Sequence, residues 1–167
     1  QWLSGYLQVD TVAPPGNELD GAKFLEAIAS AEGLETKIYD HGGNRASFTA
    51  RVRGDGSQRP LCLLSHIDVV PSERDKWTHE PLGWAIEDGM IWGRGALDMK
   101  GMGILELASA IWLKRQDVPL KRDVIVLAVA DEEVDGLGMQ TMLRDHWGEI
   151  DCEYMLNEGG IAIEGAL

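Results

Sequence analysis

The sequence predicts an α/β fold, a layered sheet with helices on both faces. Three observations point there. Helical and extended patterns alternate along the 167 residues, an order that builds sheets covered by helices. The run Val124 to Ala130 is apolar at every position, as a strand buried on both faces must be. Acidic or imidazole residues follow the apolar runs at their C-terminal ends, where open α/β sheets gather ligands.

Taken in order, Pro14-Pro15-Gly16 breaks the chain, and Asn17 to Ala31 follows as an amphipathic helix with Leu19, Phe24, Leu25 and Ile28 as its apolar stripe. Ser47 to Val52 alternates as a strand, and Arg53-Gly54-Asp55-Gly56 reads as a turn. Leu61 to Leu64 is a short buried strand and Gly89 to Trp92 another short one. Met102 to Leu113 reads as a buried helix. Val124 to Ala130 is the central strand, Gly138 to His146 a helix, and Tyr154 to Leu156 a last short strand. Neither a repeat nor a linker interrupts the pattern, so this is one domain or part of one.

Composition narrows the functions open to it. A hydrophobic fraction of 44% argues against disorder. The formal net charge of −13, from 28 acidic against 15 basic residues, speaks against a nucleic-acid partner, whose phosphates would be repelled. No apolar stretch reaches the roughly 18 residues of a membrane span. The N-terminus has no basic start followed by an apolar core, although Gln1 in place of Met leaves room for residues upstream. Cys62 and Cys152 lack CxxC spacing and are expected to be buried free thiols in a reducing compartment. A cytoplasmic location is the expectation.

Four polar interruptions carry the chemistry. After Leu61-Cys62-Leu63-Leu64 come Ser65-His66-Ile67-Asp68, and residues two apart in an extended chain face the same side. A carboxylate there can accept the second N–H of a ligating histidine, though His-x-Asp alone is a weak signal. Gly93-Arg94-Gly95-Ala96-Leu97-Asp98-Met99-Lys100-Gly101 is neither GxxxxGK[ST] nor GxGxxG; it places Asp98 at a helix start, as an N-cap or as a ligand. Val124 to Ala130 runs directly into Asp131-Glu132-Glu133, three adjacent carboxylates that repel one another. A surface loop tolerates them, and a bound cation would relieve them. Leu156-Asn157-Glu158-Gly159-Gly160 repeats the pattern with Glu158 as a turn residue or a ligand. Together they offer an O/N set without thiolate, suited to zinc, with manganese or cobalt as alternatives.

The order and wording of these segments resemble the co-catalytic metallopeptidase family of aminoacylases, glutamate carboxypeptidases, carnosine-type dipeptidases and succinyl-diaminopimelate desuccinylase. The likeness runs through Tyr6 to Thr11, Pro14 to Glu18, Ser65 to Pro71, Trp77 to Pro81, Gly93 to Gly101, Asp131 to Glu133 and Asn157 to Gly160. It implies two divalent metal ions, with His66 and Glu158 on one, Glu133 on the other and Asp98 bridging. It also implies that Asp68 orients His66 and that Glu132 is the general base for a water held by the metals. The activity implied is hydrolysis of an amide bond in a small substrate, an N-acyl amino acid or short peptide. An inactive or merely metal-binding α/β domain is the alternative.

If each metal takes about three protein contacts, two need about six. Asp98 supplies two and His66, Glu133 and Glu158 one each, so one is lacking. The family takes it from a later histidine, and Ile161 to Leu167 has none. Residues 1–167 therefore read as the N-terminal part of a catalytic domain. The family's lid or dimerisation domain, through which a homodimer would form, lies outside them. His41 is expected to be solvated in a loop. His79 lies near a family-like segment without being a ligand, and His146 sits favourably at a helix C-terminus. Trp77, Trp84 and Trp92 read as core packing in preference to a wall around the metals.

Overall fold

The computed structural model describes residues 1–159. Its central sheet has five strands in the order β1-β2-β6-β3-β7: β1 Glu35–Gly42, β2 Arg45–Val52, β3 Leu61–His66, β6 Val124–Val129 and β7 Tyr154–Leu156. β4 (Ala85–Glu87) and β5 (Met90–Trp92) form a separate hairpin. The helices are α1 Trp2–Leu7, α2 Glu18–Ala31, α3 Lys100–Arg115, α4 Leu137–Asp145 and α5 Trp147–Ile150.

The apolar run of β6 explains the layering. Side chains alternate across a strand. Val124, Val126 and Ala128 therefore join one core with Tyr6, Ala22, Leu25, Ile104, Leu107 and Ile111 from α1, α2 and α3. Ile125, Leu127 and Val129 join the opposite core with Cys62, Leu64, Met142 and Ile150, the last two from α4 and α5. Helices thus cover both faces, as the sequence predicts.

β3 runs parallel to β6, with His66 opposite Val129, and parallel to β7, with Leu63 opposite Leu156. Their C-terminal ends therefore lie along one edge. β2 pairs antiparallel to β6 and β1 antiparallel to β2.

Several elements depart from expectation. β1 is a full strand that includes His41, in place of the loop expected there. Most of its positions are exposed or half-buried, and Tyr39 alone is buried. The most buried row of α2 is Glu18, Gly21, Ala22, Leu25 and Ala29. Small residues let the helix approach the sheet, so the larger Leu19, Phe24 and Ile28 flank the contact. α3 is buried on one face only: Met102, Leu105 and Trp112 on the other are exposed. Cys62 is buried as expected, but Cys152 is half-buried. Burial, reinforced by the neighbouring Cys152, pushes the Cys62 thiol up to about 12. No helix among the described residues is long and apolar enough to cross a membrane.

Candidate metal centre

His66 is the last residue of β3, and its ring is aimed by the chain that follows. Nδ1–H donates to the backbone carbonyl of Asp68 at 2.9 Å. That leaves Nε2 facing outward, 3.0 Å from Asp98 Oδ1 and 3.7 Å from Glu158 Oε1. Asp68 meets His66 through its carbonyl because its carboxylate, 3.6 Å from Nδ1, is beyond hydrogen-bond range. The Asp68 carboxylate instead accepts the backbone N–H groups of Glu132 and Glu133, each at 3.0 Å.

Glu132 and Glu133 follow the end of β6, beside the end of β3. Ligand atoms of His66, Asp98 and Glu133 lie within 4.8 Å of one another, as do those of His66, Glu132 and Glu158. One imidazole, from the end of β3, thus stands at the centre of four carboxylates drawn from the ends of β6 and β7 and from the Asp98 loop. A cavity of about 280 Å³ opens here, lined by His66, Glu132, Met139, Asn157 and Glu158 among others. A more open groove of about 500 Å³ lies between the 10–17 and 71–82 segments. None of the five centre residues lines it, so the smaller cavity is the one with the chemistry.

The electrostatics fit a cation. Burial, followed by repulsion from Asp98, raises the Glu133 pKa, and burial with Asp98 and Glu132 raises that of Glu158. Burial works to lower the His66 pKa, but the Asp68 and Asp98 carboxylates overcome it and bring it up to about 9. Burial likewise opposes ionisation of Asp68, yet the nearby His66 ring and the amides of Glu132 and Glu133 hold it below the usual carboxylate range. His66 is the sole basic group within hydrogen-bond or ion-pair distance of the four carboxylates among the described residues. Four carboxylates and one imidazole nitrogen, whose proton a cation would displace, make an N/O donor set that divalent cations such as zinc accept.

The Asp98 loop owes its shape to close backbone packing. Gly95 has φ +88°, and a Cβ there would sit 2.9 Å from Val69 Cγ1. A Cβ on Gly101 would lie 2.1 Å from the Ala96 carbonyl oxygen. α3 is capped by Met99, which leaves Asp98 out of the helix with its carboxylate turned to His66. Lys100, fully buried, donates from Nζ to the carbonyls of Tyr6 at 3.2 Å and Val9 at 2.7 Å and fastens the loop to the N-terminal segment. Burial lowers its pKa to about 8.

The structure therefore brings together all six residues singled out in the sequence: His66, Asp68, Asp98, Glu132, Glu133 and Glu158. Gly160 and the 161–167 segment lie outside the described residues. Asp131 does not join the centre. Its φ is +64°, and its carboxylate turns inward to Arg45 and to the Leu137 N–H. His41 is half-buried, with Nε2 2.8 Å from Ser47 Oγ, and burial lowers its pKa. His79 packs on Trp92 with ring centroids 4.8 Å apart. Trp77, Trp84 and Trp92 belong to neither core cluster. Glu18 and Arg45, which reach the Asp131 turn, leave no local signal in the sequence because their contacts span 113 and 86 residues.

Fold and donor set together define an α/β protein with a candidate two-cation centre at the ends of parallel strands. The model of peptidase family M20/M25/M40 matches residues 62–166, and the chain belongs to that family. It is 36% identical over 133 residues to a succinyl-diaminopimelate desuccinylase of Cereibacter sphaeroides, covering 79% of this chain and 34% of that protein. It is 32% identical over 158 residues to aminoacylase-1 of Sus scrofa, covering 92% of this chain and 39% of the relative. The chain thus spans little more than a third of these relatives. Its fold matches an M20 family metallo-carboxypeptidase of Sulfolobus solfataricus, with TM-score 0.82 at 21% identity over 95% of this chain and 36% of that one. Human carnosine dipeptidase 1 gives 0.79 at 18% identity over 96% and 38%.

Proposed function

We propose that this chain carries most of the two-metal centre of a hydrolase that cleaves the amide bond of an N-acyl amino acid or short peptide. One observation carries the reading: the convergence of Asp98, Glu132, Glu133 and Glu158 on the free nitrogen of His66. Relatives named as a desuccinylase and an aminoacylase favour an acylated amino acid as substrate.

His66 and Glu158 would hold one ion, Glu133 the other, and Asp98 both. A bound pair would supply Lewis-acid polarisation of the scissile carbonyl and a lowered pKa for water. The chain's own residues do the rest. His66, tethered through Nδ1–H to the Asp68 carbonyl, directs Nε2 to the carboxylates, where a cation would bind it in place of a proton. Glu132 takes a proton on its carboxylate from the attacking water as the C–O bond forms, then delivers it to the leaving nitrogen as the C–N bond breaks. The products are a carboxylate and an amine. The sixth metal contact, the lid and the dimer surface would come from residues outside the 167.

The test separates binding from turnover. In the full-length protein, Glu132→Ala should keep the metal content of the wild type by elemental analysis while turnover of an N-acyl amino acid falls about 10²–10⁴-fold. A wild type that retains no divalent ion after dialysis would sink the reading. A Glu132→Ala variant with undiminished turnover would remove Glu132 as the base.

A further inference from the structure

Asp131, Glu132 and Glu133 form a turn at the end of β6, and each of their backbone N–H groups ends on a carboxylate oxygen from elsewhere in the chain. Asp131 N–H donates to Glu18 Oε1 at 3.2 Å, and the next two donate to the Asp68 carboxylate at 3.0 Å each. Glu18, Asp68 and Asp131 are all fully buried. The turn begins with Asp131 in the left-handed region at φ +64°, a conformation that persists in a non-glycine residue when its surroundings over-determine it.

Those surroundings are specific. The Asp131 carboxylate pairs with Arg45 Nη1 through one oxygen and accepts the Leu137 N–H at 3.2 Å through the other. The Asp131 carbonyl accepts the Gly136 N–H at 2.6 Å. Arg45 is tied in turn to the Pro15 carbonyl, from Nε at 3.2 Å and Nη2 at 3.0 Å. Pro15 leads into Gly16 and Glu18, and Gly16 is shaped to the Glu18 carboxylate: a Cβ on Gly16 would sit 2.5 Å from Glu18 Oε2. The hydrogen bonds run from Glu18 to Asp131, to Arg45 and to Pro15, and the chain from Pro15 to Glu18 closes the circuit.

We propose that Glu18, Asp131 and Arg45 are positioning residues for the metal centre, a clamp that fixes the left-handed start of the turn and so aims Glu132 and Glu133 at His66. The proposal rests on the metal-centre reading above. Without the clamp the strand would leave β6 in ordinary extended geometry, where successive side chains point to opposite faces. With it, both Glu132 and Glu133 bring carboxylate oxygens within 4.8 Å of the ligand atoms of His66. Asp68 works in parallel, aiming His66 with its carbonyl and the glutamates with its carboxylate. One buried network thereby sets the spacing between the histidine and the acidic pair.

The probe is Co²⁺, whose visible absorption reports ligand geometry. It is titrated into the full-length wild type and into Glu18→Ala, Glu18→Gln, Arg45→Met and Asp131→Asn. Folding is checked by circular dichroism, and kcat and KM are measured in parallel. Glu18→Ala and Arg45→Met should weaken Co²⁺ binding about 10–100-fold, shift the absorption band and lower kcat more than KM changes. Glu18→Gln keeps an acceptor for the Asp131 N–H and should stay within about threefold of wild type, since the backbone contact is what the clamp needs. Asp131→Asn conserves shape and tolerates the left-handed backbone, so it carries the test should the larger truncations not fold. It should weaken Co²⁺ in the same direction. Folded variants with wild-type Co²⁺ affinity and spectrum would overturn the clamp, as would a Glu18→Gln as impaired as Glu18→Ala. A wild type that binds no Co²⁺ would remove the metal centre itself, and the clamp with it.

Discussion

Glu106 lies on the face of α3 that packs against the sheet, 8% exposed, with Oε2 buried and without a hydrogen-bond partner. Burial raises its pKa to about 7, and the Ser65 hydroxyl offsets only part of the rise. The consequence for stability has a definite sign. Below about pH 4.5 the carboxyl is protonated in both folded and unfolded chains, and burial adds no ionisation penalty. Between about 4.5 and 7 the unfolded chain gives up its proton while the folded chain keeps it, so stability falls as pH rises. Above about 7 the loss is complete and constant. Glu106→Gln should therefore match wild type near pH 4 and exceed it by roughly 3 kcal/mol at pH 8, the free energy of a shift of this size. Urea unfolding of both proteins at the two pH values measures the difference, and a gap independent of pH would refute it. At this same scale the sequence shows the donors and Asp68, but not the supports that Glu18 and Arg45 supply. His66, Asp98, Glu132, Glu133 and Glu158 each follow an apolar run or a glycine-rich turn, which is a local signal. Glu18 meets Asp131 across 113 residues, a contact that no local pattern encodes.

Among the elements, the longer ones that the sequence reveals carry side chains that form a core. The short strands at Met90–Trp92 and Tyr154–Leu156 show themselves as brief apolar runs despite their exposure. β6 is apolar throughout and buried throughout, and α2 and α3 carry recognisable apolar stripes. β1 is the counter-example. As an edge strand it takes its stability from pairing with β2 and needs only Tyr39 in the core, so Glu35 to Gly42 shows little apolar alternation. Its signal lies in the turn: Gly43 and Asn44 both have positive φ, at +61° and +64°, which suits a two-residue hairpin loop. The seating of α4 is equally local. A Cβ on Gly138 would come within 2.5 Å of the Ala130 backbone nitrogen and oxygen and 2.9 Å of Ser47 Oγ. Gly138→Ala must push α4 away from the end of β6 and should cost about 1–3 kcal/mol. Gly148 in α5 has nothing within 4 Å of the same position, so Gly148→Ala should be neutral or stabilise by about 0.4–1 kcal/mol through the unfolded chain. Thermal melts of the pair should move in opposite directions, or downward for Gly138→Ala alone. Equal shifts would show that the close approach to Ala130 is not what limits position 138.

At the scale of the whole molecule, the centre draws on the ends of three parallel strands and the start of one helix. His66 ends β3, Glu132 and Glu133 follow β6, Glu158 follows β7, and Asp98 precedes α3. β7 is the weakest of these parts, a three-residue edge strand whose Tyr154, Met155 and Leu156 are all exposed. The chain also carries a net charge of −13, and four of its carboxylates crowd around one imidazole. A divalent cation that binds the folded chain and not the unfolded one stabilises it by about 2.7 kcal/mol at a free concentration 100 times Kd. For a chain of this size that is about 5–11 °C in Tm. Zn²⁺ added after chelator treatment should therefore raise Tm by that amount and slow amide exchange in β7 along with β3. Two controls separate a site from general relief of charge. KCl at equal ionic strength should give a much smaller shift, because it screens exposed charges and leaves close buried ones nearly untouched. His66→Ala should abolish most of the Zn²⁺ shift while leaving the KCl effect in place. A Zn²⁺ shift that survives in His66→Ala would mean that the ion acts on the acidic surface at large, and the strand-end centre would lose its claim to it.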